Sequence, residues 1–141
     1  MNIIKQLFMG KIQSTKKVNY EDIQNIIKNK RSDILLLNSL DLNEQYCLIP
    51  NSLKAVEEEE KINSIIQKLE TKIIIYGKNT SDKNLEKKYL NLLEIGFTNV
   101  YIYPGGLFEW LCLQDIYGRD DFPTTSDELD ILRYKPVSNF Y

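Results

Sequence analysis

Hydrophobic residues recur along the chain at two spacings, and the alternation between them outlines a fold. In "VNYEDIQNIIKNK", Ile23, Ile26 and Ile27 fall at helical spacing behind Asn19, with Asp22 three residues after it, which predicts a short amphipathic helix with a capped start. "DILLLNS", Asp33 to Ser39, is instead an unbroken apolar run between polar flanks, the pattern of a strand buried on both faces of a parallel sheet. A polar stretch follows, with a turn at Pro50 and Asn51. "VEEEEKINSIIQKLE" then sets Ile62, Ile65, Ile66 and Leu69 on one helical face, behind an acidic first turn that suits the helix dipole. A second apolar run, "KIIIYG", passes into a small polar loop and then a helix carrying Leu85, Tyr89, Leu92 and Leu93, ended by Gly96. "TNVYIY" reads as another strand, Pro104-Gly105-Gly106 as a tight turn, and "LFEWLCLQDIY" as another helix.

Strands alternating with helices predict one α/β domain, a mostly parallel sheet flanked by helices on both faces. No repeat or low-complexity linker interrupts the pattern before residue 118, so residues 1–117 are assigned to the domain and residues 118–141 to a C-terminal extension. Within the extension, Thr125 and Glu128 have the spacing of a capping box that opens a short helix through Ile131 and Leu132; the remainder is irregular and rich in aromatic residues.

Composition narrows function mostly by exclusion. A chain of 141 residues, 43% hydrophobic and 27% charged, has one core to bury. A net charge of −2 with scattered lysines offers no electrostatic footprint for nucleic acid. Residues 2–8, "NIIKQLF", are apolar but short, and no stretch approaches the roughly 20 apolar residues of a membrane span. The expected location is therefore cytoplasmic, or within a virion or other assembly; heavy use of Ile, Asn and Lys fits an AT-rich genome and admits a viral source. There is no histidine, and the two cysteines, Cys47 and Cys112, are far apart, which removes the usual zinc patterns and the commonest general base. No metal site and no cofactor is expected.

"GFTNVYIYPGGLFEW", Gly96 to Trp110, resembles the closing signature of rhodanese-like domains: a Gly-aromatic pair ending a helix, a short strand, and a Gly-Gly turn into a helix that bears a Trp. Upstream, "DILLLN" sits where that family's second strand ends in an Asp-Val-Arg motif, "LIPNS" resembles its His-Ile-Pro-Gly-Ala turn, and "KIIIYG" sits where its central strand delivers the catalytic cysteine. The resemblance spans residues 15 to 117 and implies a rhodanese-like fold.

It also implies that the chemistry is missing. In active members the residue after that strand is a cysteine whose thiolate carries persulfide sulfur, cradled by loop N–H groups and usually with an Arg beside it; the thiolate is the nucleophile. Here Tyr76 holds the preceding position and Gly77 the nucleophile's place. The loop after it has neither Cys nor Arg and is longer than the common sulfurtransferase form, nearer in length to cell-cycle phosphatases of the same fold. Asn38 and Leu40 stand where the family has a bracing Asp and Arg, and Leu48 where a His is usual. The resemblance implies a catalytically inactive member, a pseudoenzyme. Its vestigial active-site loop is Gly77, Lys78, Asn79, Thr80, Ser81 and Asp82, and its retained signature is Gly105, Gly106 and Trp110.

Several residues carry a second reading. Cys47, read as partly exposed, is the candidate for a relocated nucleophile; Cys112, between Leu111 and Leu113, reads as a small buried hydrophobe. The loop's successive N–H groups and Lys78 suit an anion, whereas Asp82 opposes one, and Ser81 or Asp82 reads as the N-cap of the next helix. Gly105 and Gly106 call for positive φ or close backbone packing. In the extension, Phe122, Leu129, Ile131, Leu132, Tyr134, Pro136, Phe140 and Tyr141 are too apolar for a free disordered end. Residues 122–132 are expected to cover the domain and residues 136–141 to point outward, with Phe122, Tyr134, Phe140 and Tyr141 as candidate partner contacts. The expected function is a non-catalytic protein-binding or structural module whose partner is another protein. A sulfurtransferase or phosphatase with a relocated cysteine, and an anion or small-molecule sensor at the loop, stay open as alternatives.

Overall fold

The computed structural model of the protein describes residues 15–140, so the apolar segment 2–8 and Tyr141 lie outside the described residues. The chain forms β1 (Lys16–Lys17), α1 (Tyr20–Lys28), β2 (Ile34–Asn38), α2 (Ala55–Ile65), β3 (Lys72–Tyr76), α3 (Lys83–Ile95), β4 (Val100–Tyr103) and α4 (Gly106–Tyr117). The strands pair in parallel in the order β1-β4-β3-β2, with Leu37 opposite Ile75 and Ile75 opposite Ile102 across the middle of the sheet. β1 is an exposed two-residue edge of lysines and carries no apolar pattern by which a sequence would betray it. Among the described residues no helix is long and apolar enough to cross a membrane.

Local chemistry sets most of the boundaries. Asn19 accepts from the Glu21 and Asp22 amides while Asp22 accepts from the Asn19 amide, so the N-cap read from the sequence is one half of a reciprocal capping box. α3 ends where Gly96, at φ +118, turns its amide back onto the Leu92 and Leu93 carbonyls. α2 is shorter than its pattern predicts. It stops at Ile65, the chain then turns through Lys68 and Thr71, and Ile66 is left 43% exposed instead of continuing the buried face.

Side chains alternate along β3, which explains its unbroken apolar run. Ile73 and Ile75 enter a core under α2 and α3 with Ile62, Leu85, Tyr89 and Ile102, while Ile74 and Tyr76 enter a second core with Ile23, Leu36, Tyr103 and Trp110 on the side of α1 and α4.

Residues 118–134 fold back over this second core as a strap. The predicted capping-box helix is absent, because Thr125 pairs with Leu48 instead. Its amide donates to the Leu48 carbonyl and its hydroxyl accepts from the Leu48 amide, which leaves only a 3-10 turn at Ile131–Tyr134. Phe122 packs edge-on against Trp110, with ring centres 5.1 Å apart, and the Trp110 indole donates to the Pro123 carbonyl at 2.8 Å. Phe122 and Tyr134, candidates for partner contact on sequence, are thus buried in the domain's own core. Leu129 and Leu132, expected to cover the domain, are exposed, because the 3-10 turn that replaces the helix directs Tyr134 inward in their stead. Beyond the strap, Val137 and Phe140 are exposed.

Candidate functional site

β3 lies between β2 and β4, so its carboxyl end delivers Gly77 to the middle of the sheet edge, where ligands of parallel α/β proteins bind. The loop closes on its own acid. Asp82 is the N-cap of α3, and its Oδ1 accepts from the Asn84 amide at 2.9 Å. Its Oδ2 accepts from the Lys78 amide at 2.9 Å and from the Ser39 hydroxyl at 3.1 Å. A Cβ built on Gly77 would lie 2.3 Å from Asp82 Oδ2 and 2.4 Å from Ser39 Oγ, so these two groups fill the space that a side chain at position 77 would need. Ser39 was not singled out from the sequence; its place just after β2 is the only signal that could have found it.

The other loop residues divide by burial. Asn79 is buried, accepts from the Ser81 amide at 2.9 Å, and donates to the Tyr134 carbonyl at 2.8 Å. Thr80 and Ser81 are exposed. The Lys78 ammonium sits 3.2 Å from the buried carboxylate of Glu44, in the short turn after β2. Glu44 also escaped the sequence reading, since a single acid in a polar connection reads as solvated surface.

α4 locks the far side of the loop. The Leu107 and Phe108 amides donate to the Gly77 and Lys78 carbonyls at 2.9 and 2.8 Å. This approach requires Gly106, which sits at φ +63 and whose missing Cβ would lie 2.5 Å from the Gly77 carbonyl oxygen. Gly105 differs: its φ is −60, and its constraint is packing alone, because a Cβ there would collide with the Glu109 carboxylate that accepts from the Tyr103 hydroxyl at 2.6 Å.

At positions 38 and 40, read from the sequence as the place of a bracing Asp and Arg, the structure has a neutral network and an apolar side chain. Asn38 donates to Gln45 Oε1 at 3.1 Å and accepts from Gln45 Nε2 at 2.8 Å and from the Leu40 amide at 3.0 Å. Leu40 and Leu48 are buried apolar residues.

Neither cysteine stands open at this loop. Cys47, read from the sequence as partly exposed, is fully buried: the strap crosses it, with the Ser126 carbonyl 3.5 Å from its sulfur, and burial pushes its thiol up. Cys112 is half-buried on α4, and burial likewise raises it, aided by Asp115 and Glu109. Among the described residues no group of three or more His, Cys, Asp or Glu is placed to hold a metal ion.

A parallel sheet covered on both faces, whose central strand ends in a loop locked by a Gly-Gly helix start, defines the class of protein. The family model of the rhodanese-like domain matches residues 19–112, and the chain belongs to that family. Among solved structures it is similar to the BH2092 protein of Bacillus halodurans, at 18% identity and a TM-score of 0.58, over 83% of this chain and 84% of that one. It is similar to a thiosulfate sulfurtransferase of Pseudomonas aeruginosa at 17% identity and a TM-score of 0.55, over 71% of this chain but 19% of that one. RPA3614 of Rhodopseudomonas palustris, described as a possible tyrosine phosphatase, matches at 20% identity and a TM-score of 0.54, over 84% and 93% of the two chains. At these identities the likeness is one of fold. A comparison with curated proteins found no match.

Proposed function

We propose that this rhodanese-like domain is non-catalytic and serves as a protein-binding or structural module. The observation that carries the reading is the filled site: Gly77 brings no nucleophile, and the Asp82 carboxylate and Ser39 hydroxyl occupy the space beside its Cα. An oxyanion entering there would compete with an internal carboxylate for the same amide, and like charges at such range repel. The reading as an enzyme with a relocated cysteine needs an accessible thiolate, and burial of Cys47 disfavours both access and ionisation. Of the candidate partner contacts, Phe140 stays exposed beyond the strap.

The test is direct. The purified protein should show no transfer of sulfur from thiosulfate to cyanide and no hydrolysis of an aryl phosphate. Turnover that disappears in Cys47→Ser would overturn the proposal in favour of the relocated thiol.

A further inference from the structure

On the sheet face away from the strap, a cavity of about 420 Å³ opens between α3, the carboxyl ends of β1 and β4, and residues 80–82. That volume lies within the range of small-molecule sites, roughly 300–1,000 Å³. Its floor is apolar, made by Leu85 and Ile102, both buried. Tyr89 also lines it. That residue is only 5% exposed and its ring packs in the core, while its hydroxyl bonds to no described residue and keeps contact with solvent at the cavity, where a ligand can reach it. Ser81 adds a second hydroxyl that bonds to no described residue.

Charge narrows the ligand further. Lys17 and Glu86 both stand at the rim, both exposed, and the side chain of neither forms an ion pair or hydrogen bond with a described residue, including each other. An anion alone would be drawn by Lys17 but opposed by Glu86 and Asp82, and a cation alone would meet Lys17. A molecule carrying both charges satisfies both side chains at once.

We infer that this cavity binds a small zwitterion with an apolar side chain, a free α-amino acid of the leucine or phenylalanine kind. Its carboxylate pairs with Lys17 and its ammonium with Glu86. The side chain lies on Leu85 and Ile102, and the Tyr89 hydroxyl bonds the polar end. The site borders the loop after β3 through Thr80, Ser81 and Asp82, but it uses no thiol, so it stands whether or not Gly77 is catalytically silent.

The experiment is titration of the full chain with L-leucine and L-phenylalanine, followed by calorimetry and by amide shifts in NMR. Two half-ligands serve as controls: 4-methylpentanoate, which lacks the amine, and 3-methylbutylamine, which lacks the carboxylate. The amino acids should saturate in the millimolar range or below, and each half-ligand should bind about tenfold more weakly, as expected for loss of a charged hydrogen bond. Lys17→Gln and Glu86→Gln should each weaken binding about tenfold and Tyr89→Phe about fivefold. Because Lys17 and Glu86 are surface residues, their variants should melt like the wild type and keep the test valid if Tyr89→Phe disturbs the core. No saturation by about 20 mM, half-ligands that bind as tightly as the amino acids, or saturation indifferent to all three substitutions would overturn the inference.

Discussion

The side-chain amide of Asn79 donates to the backbone carbonyl of Tyr134 at 2.8 Å, joining the loop after β3 to the end of the strap across 55 positions of sequence. Both residues are buried, and the same Asn79 side chain accepts from the Ser81 amide to hold the loop turn. Asn79→Ala removes both bonds and leaves a buried carbonyl without its donor. The expected cost is about 1–3 kcal/mol, read as a lower urea midpoint with an unchanged slope. Asn79→Asp keeps the acceptor for the Ser81 amide but sets a buried carboxylate against the Tyr134 carbonyl, so at neutral pH it should cost at least as much as Asn79→Ala. If Asn79→Ala unfolds at the wild-type midpoint, the loop and strap are not coupled through this bond.

Gly77→Cys is the simplest attempt to restore a nucleophile, and the geometry opposes it. The new Cβ would meet Asp82 Oδ2 at 2.3 Å and Ser39 Oγ at 2.4 Å. Overpacking of this kind costs about 1–3 kcal/mol. Asp82→Ala alone should cost about 1 kcal/mol through loss of the α3 N-cap. The double variant should be more stable than the sum of the two predicts, since removing the carboxylate relieves half of the clash. Sulfur transfer by Gly77→Cys should be weak at most, because on the proposed reading the place of a charged, preorganising brace is held by the neutral Asn38–Gln45 pair. Robust turnover in the single variant would show that the brace is dispensable.

Trp110 is fully buried, packs against Tyr103 and Phe122, and donates its indole hydrogen to the Pro123 carbonyl. Trp110→Ala should therefore cost roughly 3–5 kcal/mol. Trp110→Phe should recover most of the packing but not the bond to the strap. A melting temperature within a few degrees of wild type for Trp110→Ala would contradict its place as the link between α4 and the strap.

How far the chain could be read without coordinates depends on whether the decisive interaction is local. The Asn19–Asp22 box, the apolar β2 and β3 runs and the Gly96 stop are all set within a few residues, and each appears where its pattern places it. Gly106 was legible as a special position, though its reason, contact with the Gly77 carbonyl, comes from another element. What could not be read is non-local. Thr125 and Glu128 satisfy the local rule for a capping box, but pairing of Thr125 with Leu48, 77 positions away, and of Glu128 with Tyr46 overrides it. The same strap buries Cys47 and Tyr134, which no spacing in the sequence announces.

Thiol reactivity offers a check on that burial. With an Ellman-type reagent at pH 8, Cys112, half-buried, should react first and Cys47 only on the timescale of unfolding, because its sulfur is covered and its thiol is pushed up by burial. Deleting residues 118–141 should make Cys47 react quickly. Fast modification of Cys47 in the intact protein, assigned by Cys112→Ser, would reinstate it as a candidate nucleophile.

The extension divides at Tyr134, and the division predicts two separable effects. Tyr134 is fully buried among the core residues of the α1 and α4 face, and its carbonyl receives Asn79, so a deletion that begins at residue 134 removes a core side chain. From Lys135 the described residues are exposed, with Val137 at 87% and Phe140 at 92%. Removing residues 136–141 should leave the melting temperature within a few degrees of wild type, since little apolar area returns to water. Removing residues 134–141 should lower it clearly, and removing residues 118–141 should lower it further by exposing Trp110 as Phe122 leaves. If Phe140 is the docking anchor of the proposed module, the 136–141 deletion and Phe140→Ala should both abolish co-purification of a protein partner while the fold stays intact. Retention of that partner by both variants would move the interaction surface off the tail and back to the domain, whereas unfolding of the 136–141 deletion would make the final segment part of the strap itself.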